Sequence, residues 1–285
     1  MAMILKRITD KLTRLKNLVH YQNNYSFGPQ LMQKIIQHNR NLVNTNFEIV
    51  NKKVMQGSHF GYGIPEQLYS GDNFMLNNPI NNDVTYTDVI CYFSNKLKNI
   101  RYLELGVSVG KNFYQLMHYM DGIYMMGYDL EEMSPLLKQK LNCEYSSVEN
   151  WDKRNYLKPT APSLTTNMKF NNSRIDYISA DVYDELGWEK MKDKNFNLIL
   201  SDASHTPEAL LFEYEMMEKY NVFNKDSFVI FWDDLGGEMT GSFLAIINRM
   251  KKKYNLKRSD CYILELSGWI GQQEFKHQIG IIDKG

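Results

Sequence analysis

Asp202 and His205 stand three residues apart in Ser201-Asp202-Ala203-Ser204-His205, directly after the apolar run Phe196–Leu200. A second apolar run, Phe228–Trp232, leads into Asp233-Asp234 and then Leu235-Gly236-Gly237. Carboxylates crowded together repel one another unless a cation holds them. Oxygen-only ligands suit a hard ion such as Mg²⁺, with waters or substrate oxygens completing the shell. A histidine beside such an ion titrates near neutral pH and can take the proton of a bound hydroxyl. Taken singly, each group has an ordinary reading: Asp202 as a cap, Asp233-Asp234 as a solvated turn, His205 as a surface side chain. They become a metal set of Asp202, Asp233 and Asp234, with His205 and Asp202 doing the proton chemistry, if both runs are neighbouring strands ending at one sheet edge.

A second group lies upstream, in Tyr102-Leu103-Glu104-Leu105-Gly106-Val107-Ser108-Val109-Gly110-Lys111-Asn112. It reads as a strand, a turn of small residues and a helix start. Gly106 lets the chain bend sharply, and Gly110 lets backbone approach a ligand. The spacing G-x-S-x-G differs from the dinucleotide fingerprint G-x-G-x-x-G, so an NAD-linked oxidoreductase is disfavoured. Asp129 ends the next strand-like run, about twenty residues on, where a carboxylate can accept both hydroxyls of a ribose. Asp181 ends a third, within reach of an exocyclic amine. The alternative for either acid is a helix cap or an exposed turn carboxylate.

The elements that must position these groups begin at Asp83, which can cap a helix to about Lys98. Strand patterns follow at 100–105, 123–128, 174–179, 196–201 and 227–232. Helical patterns fall at 112–120, 207–220 and 240–254. Such alternation predicts βαβ units and a mainly parallel sheet with helices on both faces. Only SGWIGQQ separates the last two strand-like runs, 261–266 and 274–282. That is too short for a helical crossover, so they must form an antiparallel hairpin. Residues 143–173 interrupt the alternation with polar, turn-rich sequence and read as an insertion beside the ligand edge.

The first 82 residues have another character. Ile4, Leu5, Ile8, Leu12, Leu15 and Val19 form one stripe of a basic amphipathic helix, and a second helical pattern follows Gly28-Pro29. Residues 1–60 carry nine Lys or Arg against two Asp or Glu, although the 285-residue chain balances 33 of each. Packing on a sister subunit or on the body is the favoured use of the first helix; contact with an anionic membrane surface is the other. Residues 54–82 mix glycine, proline and asparagine with aromatics and read as a substrate lid or a plain connection. Zero net charge does not suggest a nucleic-acid partner. The three cysteines provide neither a disulfide framework nor a zinc pattern. The first apolar run is cut by Lys6-Arg7 and no run is long enough to span a bilayer, so a cytoplasmic protein is expected.

Glu104/Gly106, Asp129 and Asp181, taken in order with the terminal hairpin, resemble the class I S-adenosylmethionine-dependent methyltransferases over roughly residues 83–285. That resemblance implies a Rossmann-like α/β fold: seven strands, mostly parallel, with an antiparallel C-terminal hairpin and an N-terminal helical extension over 1–82. It implies S-adenosyl-L-methionine held by Glu104, Gly106, Ser108, Gly110, Asn112, Asp129 and Asp181. Ser108 departs from the family's acidic-x-G-x-G-x-G turn. D-A-x-H followed by a helix, then an apolar strand ending in D-D, looks like the metal-dependent O-methyltransferases. It is most similar to those acting on sugar hydroxyls of macrolide and aminocoumarin antibiotics and to the cephalosporin-hydroxylase/rhamnosyl O-methyltransferase group. The implied ligands of Mg²⁺ or another divalent cation are Asp202, Asp233 and Asp234, with His205 as base. The implied acceptor is a small molecule or glycan, and a homo-oligomer is expected. A catechol-type enzyme carries a similar set but usually Asp-Asn where this chain has Asp233-Asp234. A non-catalytic binding module on the same fold is the remaining alternative.

Overall fold

The structure, a computed structural model, describes residues 86–108, 110–133, 137, 138, 141, 162–267 and 276–285, with positions 12 and 34 standing alone. The helices anticipated in 4–19 and 28–43, the segment 54–82 and the start of the 143–173 insertion lie outside the described residues.

Short apolar runs buried on both faces are what a parallel sheet covered by helices demands. The four strands nearest the sheet's centre meet that demand: β1 (Arg101–Leu105), β2 (Tyr124–Asp129), β5 (Leu198–Ser201) and β6 (Phe228–Trp232). β4 (Ser173–Ser179) is buried except at Arg174. Helices α1 (Tyr86–Ser94), α2 (Lys111–Tyr119), α3 (Glu185–Glu189), α4 (Pro207–Lys219) and α5 (Glu238–Tyr254) alternate with them. β3 (Ser163–Phe170), β7 (Cys261–Ser267) and β8 (Lys276–Lys284) complete the sheet.

The sheet order is β3-β4-β2-β1-β5-β6-β8-β7. β1 pairs in parallel with β2 and β5, β2 with β4, and β5 with β6. β8 inserts antiparallel between β6 and β7. The expected Rossmann-like parallel sheet with a reversed terminal hairpin is therefore present. Two apolar layers sandwich it. Phe93, Phe113, Met117, Leu137 and Tyr177 pack on one face. Trp188, Phe223, Trp232, Phe243 and Ile247 pack on the other.

Among the described residues the sheet has eight strands rather than seven. The extra strand, β3, comes from the stretch anticipated as polar insertion and pairs antiparallel with β4. Its first five residues are exposed, so it shows no buried alternation of the kind that marks a strand in sequence. A register shift between Thr165 and Met168, with Asn167 at φ 63°, marks a bulge. The buried Asp176 carboxylate holds that bulge by accepting the Asn167 N–H at 3.0 Å and the Tyr124 hydroxyl at 2.7 Å. Bulges at sheet edges hinder pairing with further strands. Among the described residues no helix is long and apolar enough to cross a membrane.

Candidate functional site

The order of the parallel strands reverses between β1 and β5, the place where an open α/β sheet leaves a crevice at its carboxyl edge. The ladder runs one residue past each strand there. Gly106 donates its N–H to Tyr128 O at 2.7 Å, Asp202 to Leu105 O at 2.8 Å, Asp233 to Ser201 O at 3.0 Å, and Ala180 to Asp129 O at 2.8 Å. The acids ending β2, β5 and β6 therefore hang from one continuous hydrogen-bonded edge. Crowding at the crevice is extreme: a Cβ on Gly106 would lie 2.2 Å from the Asp202 carbonyl oxygen. Only glycine at this position, with φ 83°, lets the two turns touch.

On the β5–β6 side, His205 bridges two aspartates. Its Nε2 lies 2.9 Å from Asp202 Oδ1, and its Nδ1 lies 2.6 Å from Asp234 Oδ2. These hydrogen bonds, Asp202's first, push its pKa up to about 11 against the opposing effect of burial. At neutral pH the ring is an imidazolium that donates from both nitrogens. Asp233 is buried beside it, and single ligand atoms from Asp202, His205 and Asp233 lie within 4.8 Å of one another.

Asp202 and Asp233 thus meet as the strand patterns require, while Asp234 turns through a left-handed backbone (φ 50°) to hold the histidine. Among the described residues, the donors close enough together to share a divalent cation are Asp202, His205 and Asp233, a mixed nitrogen and oxygen set that suits transition ions better than Mg²⁺. Asp234, bonded to His205 Nδ1, is not one of them, so the all-oxygen set expected from the sequence is not assembled in this arrangement. His205 itself balances the carboxylates in the arrangement described, so a proton and a cation compete for one cluster.

On the β1–β2 side, Asp129 is buried and closes the turn. Its Oδ2 accepts the Ser108 N–H at 2.6 Å and its Oδ1 accepts the Glu131 N–H at 3.2 Å. Each carboxylate oxygen keeps a further lone pair for a ligand hydroxyl. Gly106, Ser108 and Gly110 all have positive φ, so the serine holds a left-handed backbone that an L side chain rarely adopts. Glu104 lies beneath, 2% exposed, accepting from the Tyr102 hydroxyl at 2.5 Å and Asn112 Nδ2 at 2.9 Å. Asn112 in turn accepts from Thr87 at 2.8 Å. Burial above all raises the Glu104 pKa to about 8. Glu104 and Asn112 therefore tie β1, α2 and α1 together below the turn. Asp181 stands exposed at the same edge and accepts the Tyr183 N–H at 3.0 Å.

A buried acid beside the site escaped the sequence reading. Glu213 lies on the inner face of α4 and pairs with Ser201 at the end of β5. The available signal was an acid at a position where the helical period of Ala209, Leu210, Tyr214 and Met217 asks for an apolar residue.

No protein-family model and no curated protein matches the chain. Solved structures with a similar chain path include an O-methyltransferase from Bacillus cereus in complex with SAH. It is 12% identical over 90% of this chain and 99% of that one, with a TM-score of 0.45. An SAH-bound methyltransferase from Podospora anserina is 9% identical over 90% of this chain and 97% of that one, at 0.41. A spermidine synthase from Thermotoga maritima is 13% identical over 70% of this chain and 60% of that one, at 0.41. Likeness at this level carries no argument about chemistry, which rests on the residues of the site.

Proposed function

We propose that this protein is an S-adenosylmethionine-dependent O-methyltransferase that works with a divalent cation on a hydroxyl of a sugar, glycan or related natural product. The observation that carries the reading is the meeting of Asp202, His205 and Asp233 within one cation's reach, across the β1–β5 crevice from the Asp129–Ser108 turn. Asp129 would hold the ribose, with Asp181 near the base and the Gly106–Gly110 turn against the rest of the donor. Asp202 and Asp233, with His205 or Asp234, would hold the ion. When bound, the donor supplies an electrophilic methyl group and the ion supplies Lewis acidity toward the acceptor hydroxyl.

The chain's own residues then have one proton to manage. An alcohol ionises with a pKa of about 16, like water, so its proton must leave as the oxygen attacks. Asp202 and His205 share a hydrogen bond and accept that proton as a pair. The ring takes that proton only after giving up the one it holds against an aspartate, and the remaining aspartate bond keeps the imidazole oriented. Holding acceptor and donor in line at a rigid strand edge can supply about 7–11 kcal/mol of the barrier.

Calorimetric titration with S-adenosylmethionine and with its demethylated product, followed by a methyl-transfer assay against hydroxylated acceptors with and without EDTA, tests the reading. Binding with transfer that EDTA abolishes is expected. Transfer that survives EDTA removes the cation, and failure to bind either nucleoside removes the whole proposal.

A further inference from the structure

The buried side chains of α4 are Ala209, Leu210, Glu213, Tyr214 and Met217. Four are what an inward helix face calls for, and the fifth is a carboxyl with no exposed surface. Burial drives its pKa up to about 8, so at neutral pH it is mostly the neutral acid. One oxygen, Oε2, bonds the Ser201 hydroxyl, and the other, Oε1, has no hydrogen-bond partner among the described residues. A methionine would fill the same volume without leaving a buried oxygen unpaired, so stability does not account for a glutamate here.

Its position does. Ser201 is the last residue of β5; Asp202 follows it, and its carbonyl accepts the Asp233 N–H. α4 starts at Pro207, two residues after His205, with Thr206 capping it through the Ala209 N–H at 3.1 Å. The Ser201–Glu213 bond therefore ties the helix leaving the 202–206 loop back to the strand entering it. Both members of the proton-handling pair ride on that loop, and the charges of His205 and Asp202 are felt at Glu213.

We propose that Glu213 is a positioning residue: through Ser201 it fixes the 202–206 loop so that the His205 ring stays bridged between Asp202 and Asp234. This rests on the proposed function only for the chemical role of the pair; the placement is a property of the chain itself.

The test uses the full-length ¹⁵N-labelled protein without added cation. Its readouts are the His205 ring nitrogen signals, assigned by their loss in His205→Gln, the thermal midpoint, Mn²⁺ affinity and adenosylhomocysteine affinity. In Glu213→Met the midpoint should rise by roughly 2–4 °C. The His205 signals should leave their bridged positions and Mn²⁺ should bind about tenfold more weakly. Adenosylhomocysteine affinity should not change. Glu213→Gln, which can still bond Ser201, should restore the ring signals. Unchanged His205 signals in the Met variant would overturn the proposal, as would a fall in midpoint with parallel loss of adenosylhomocysteine binding. Should the Met variant not fold, Ser201→Ala decides: displaced ring signals support the proposal and unchanged ones overturn it. If the wild type takes up no Mn²⁺, the cation in the proposed function fails, while the ring signals still judge Glu213.

Discussion

The peptide N–H of Ser108 donates to Asp129 Oδ2 at 2.6 Å, so the turn leaving β1 is closed by the acid that ends β2. Two strands adjacent in the sheet thereby share one polar contact at the point where both stop. The same construction recurs across the crevice, where Asp202 and Asp234 close on His205. The edge thus carries two preorganised polar clusters on rigid strand ends, and neither depends on a long loop for its geometry.

Asp129→Asn keeps an oxygen for the Ser108 N–H but loses the charge and sets an amide group in place of the second acceptor. Hydrogen bonds to a charged group contribute about 1.5–3 kcal/mol. Adenosylhomocysteine affinity should fall about 10- to 100-fold by calorimetry, with only a small change in thermal midpoint. Asp129→Ala should lose more affinity and should also lower the midpoint, because the turn loses its closing contact.

Gly106→Ala places a Cβ 2.2 Å from the Asp202 carbonyl oxygen and 2.8 Å from Ala203 Cα, at a backbone φ of 83°. Gly122 has φ 71° with nothing within 4 Å of its virtual Cβ. Gly122→Ala therefore reports the left-handed strain alone, about 1–2 kcal/mol. Gly106→Ala adds overpacking of a further 1–3 kcal/mol or so and pushes Asp202 off the cluster. The 106 variant should unfold at a clearly lower temperature than the 122 variant and bind Mn²⁺ more weakly. Equal midpoints would show that the two turns do not touch.

What the sequence makes legible follows from burial. Tyr128-Asp129, Ser201-Asp202 and Trp232-Asp233 each mark where an apolar run inside a two-sided sheet meets the polar edge, and that boundary is visible without coordinates. β3 is not, because its first five residues face solvent and no alternation sets them apart from a loop. Nor is the partnership of Asp234 with His205, since the left-handed turn at Asp234 swings one of two adjacent aspartates away from its neighbour's role. Glu104 reads as a strand acid set for cofactor or turn contact, and Glu213 is marked only by its place on the apolar face of its helix. That each is buried arises from the elements packed over it, a tertiary fact.

Those two glutamates and His205 give the stability curve an unusual sign. Glu104 and Glu213 are raised from an ordinary 4.5 to about 8, and His205 from 6.5 to about 11. Each binds its proton more tightly in the native state, so each contributes stability that is complete below its unfolded pKa and lost as pH rises through the folded one. Stability should therefore decline from about pH 5 through 8 as the glutamates ionise, and further toward 11 as the histidine loses its charge. Glu218, lowered despite burial by its bonds to Lys253, Tyr254 and Tyr214, works in the opposite sense only below the usual glutamate range. Urea midpoints at pH 5, 7 and 9 check this. Glu104→Gln combined with Glu213→Gln should flatten the decline between 5 and 8; a wild-type curve rising over that interval would contradict the assignment.

His205 cannot ligate an ion while both ring nitrogens donate to Asp202 and Asp234. For the mixed Asp202–His205–Asp233 set to form, the ring must give up a proton and release Asp202 from that bond. Proton release coupled to binding makes affinity climb with pH, by up to about tenfold per unit for one proton while the ring's pKa lies above the working range. Mn²⁺ titrations between pH 6 and 9, repeated in buffers of different ionisation heat, should show that slope and the released proton. His205→Ala should abolish the slope while leaving three acidic groups able to bind the ion, and should slow methyl transfer by about 10²–10⁴-fold. An affinity that is flat in the wild type would instead mean an all-oxygen set with Asp234 as the third ligand. In that case Mg²⁺ should compete with Mn²⁺ far more effectively than imidazole coordination would allow, so the metal preference and the proton count must change together.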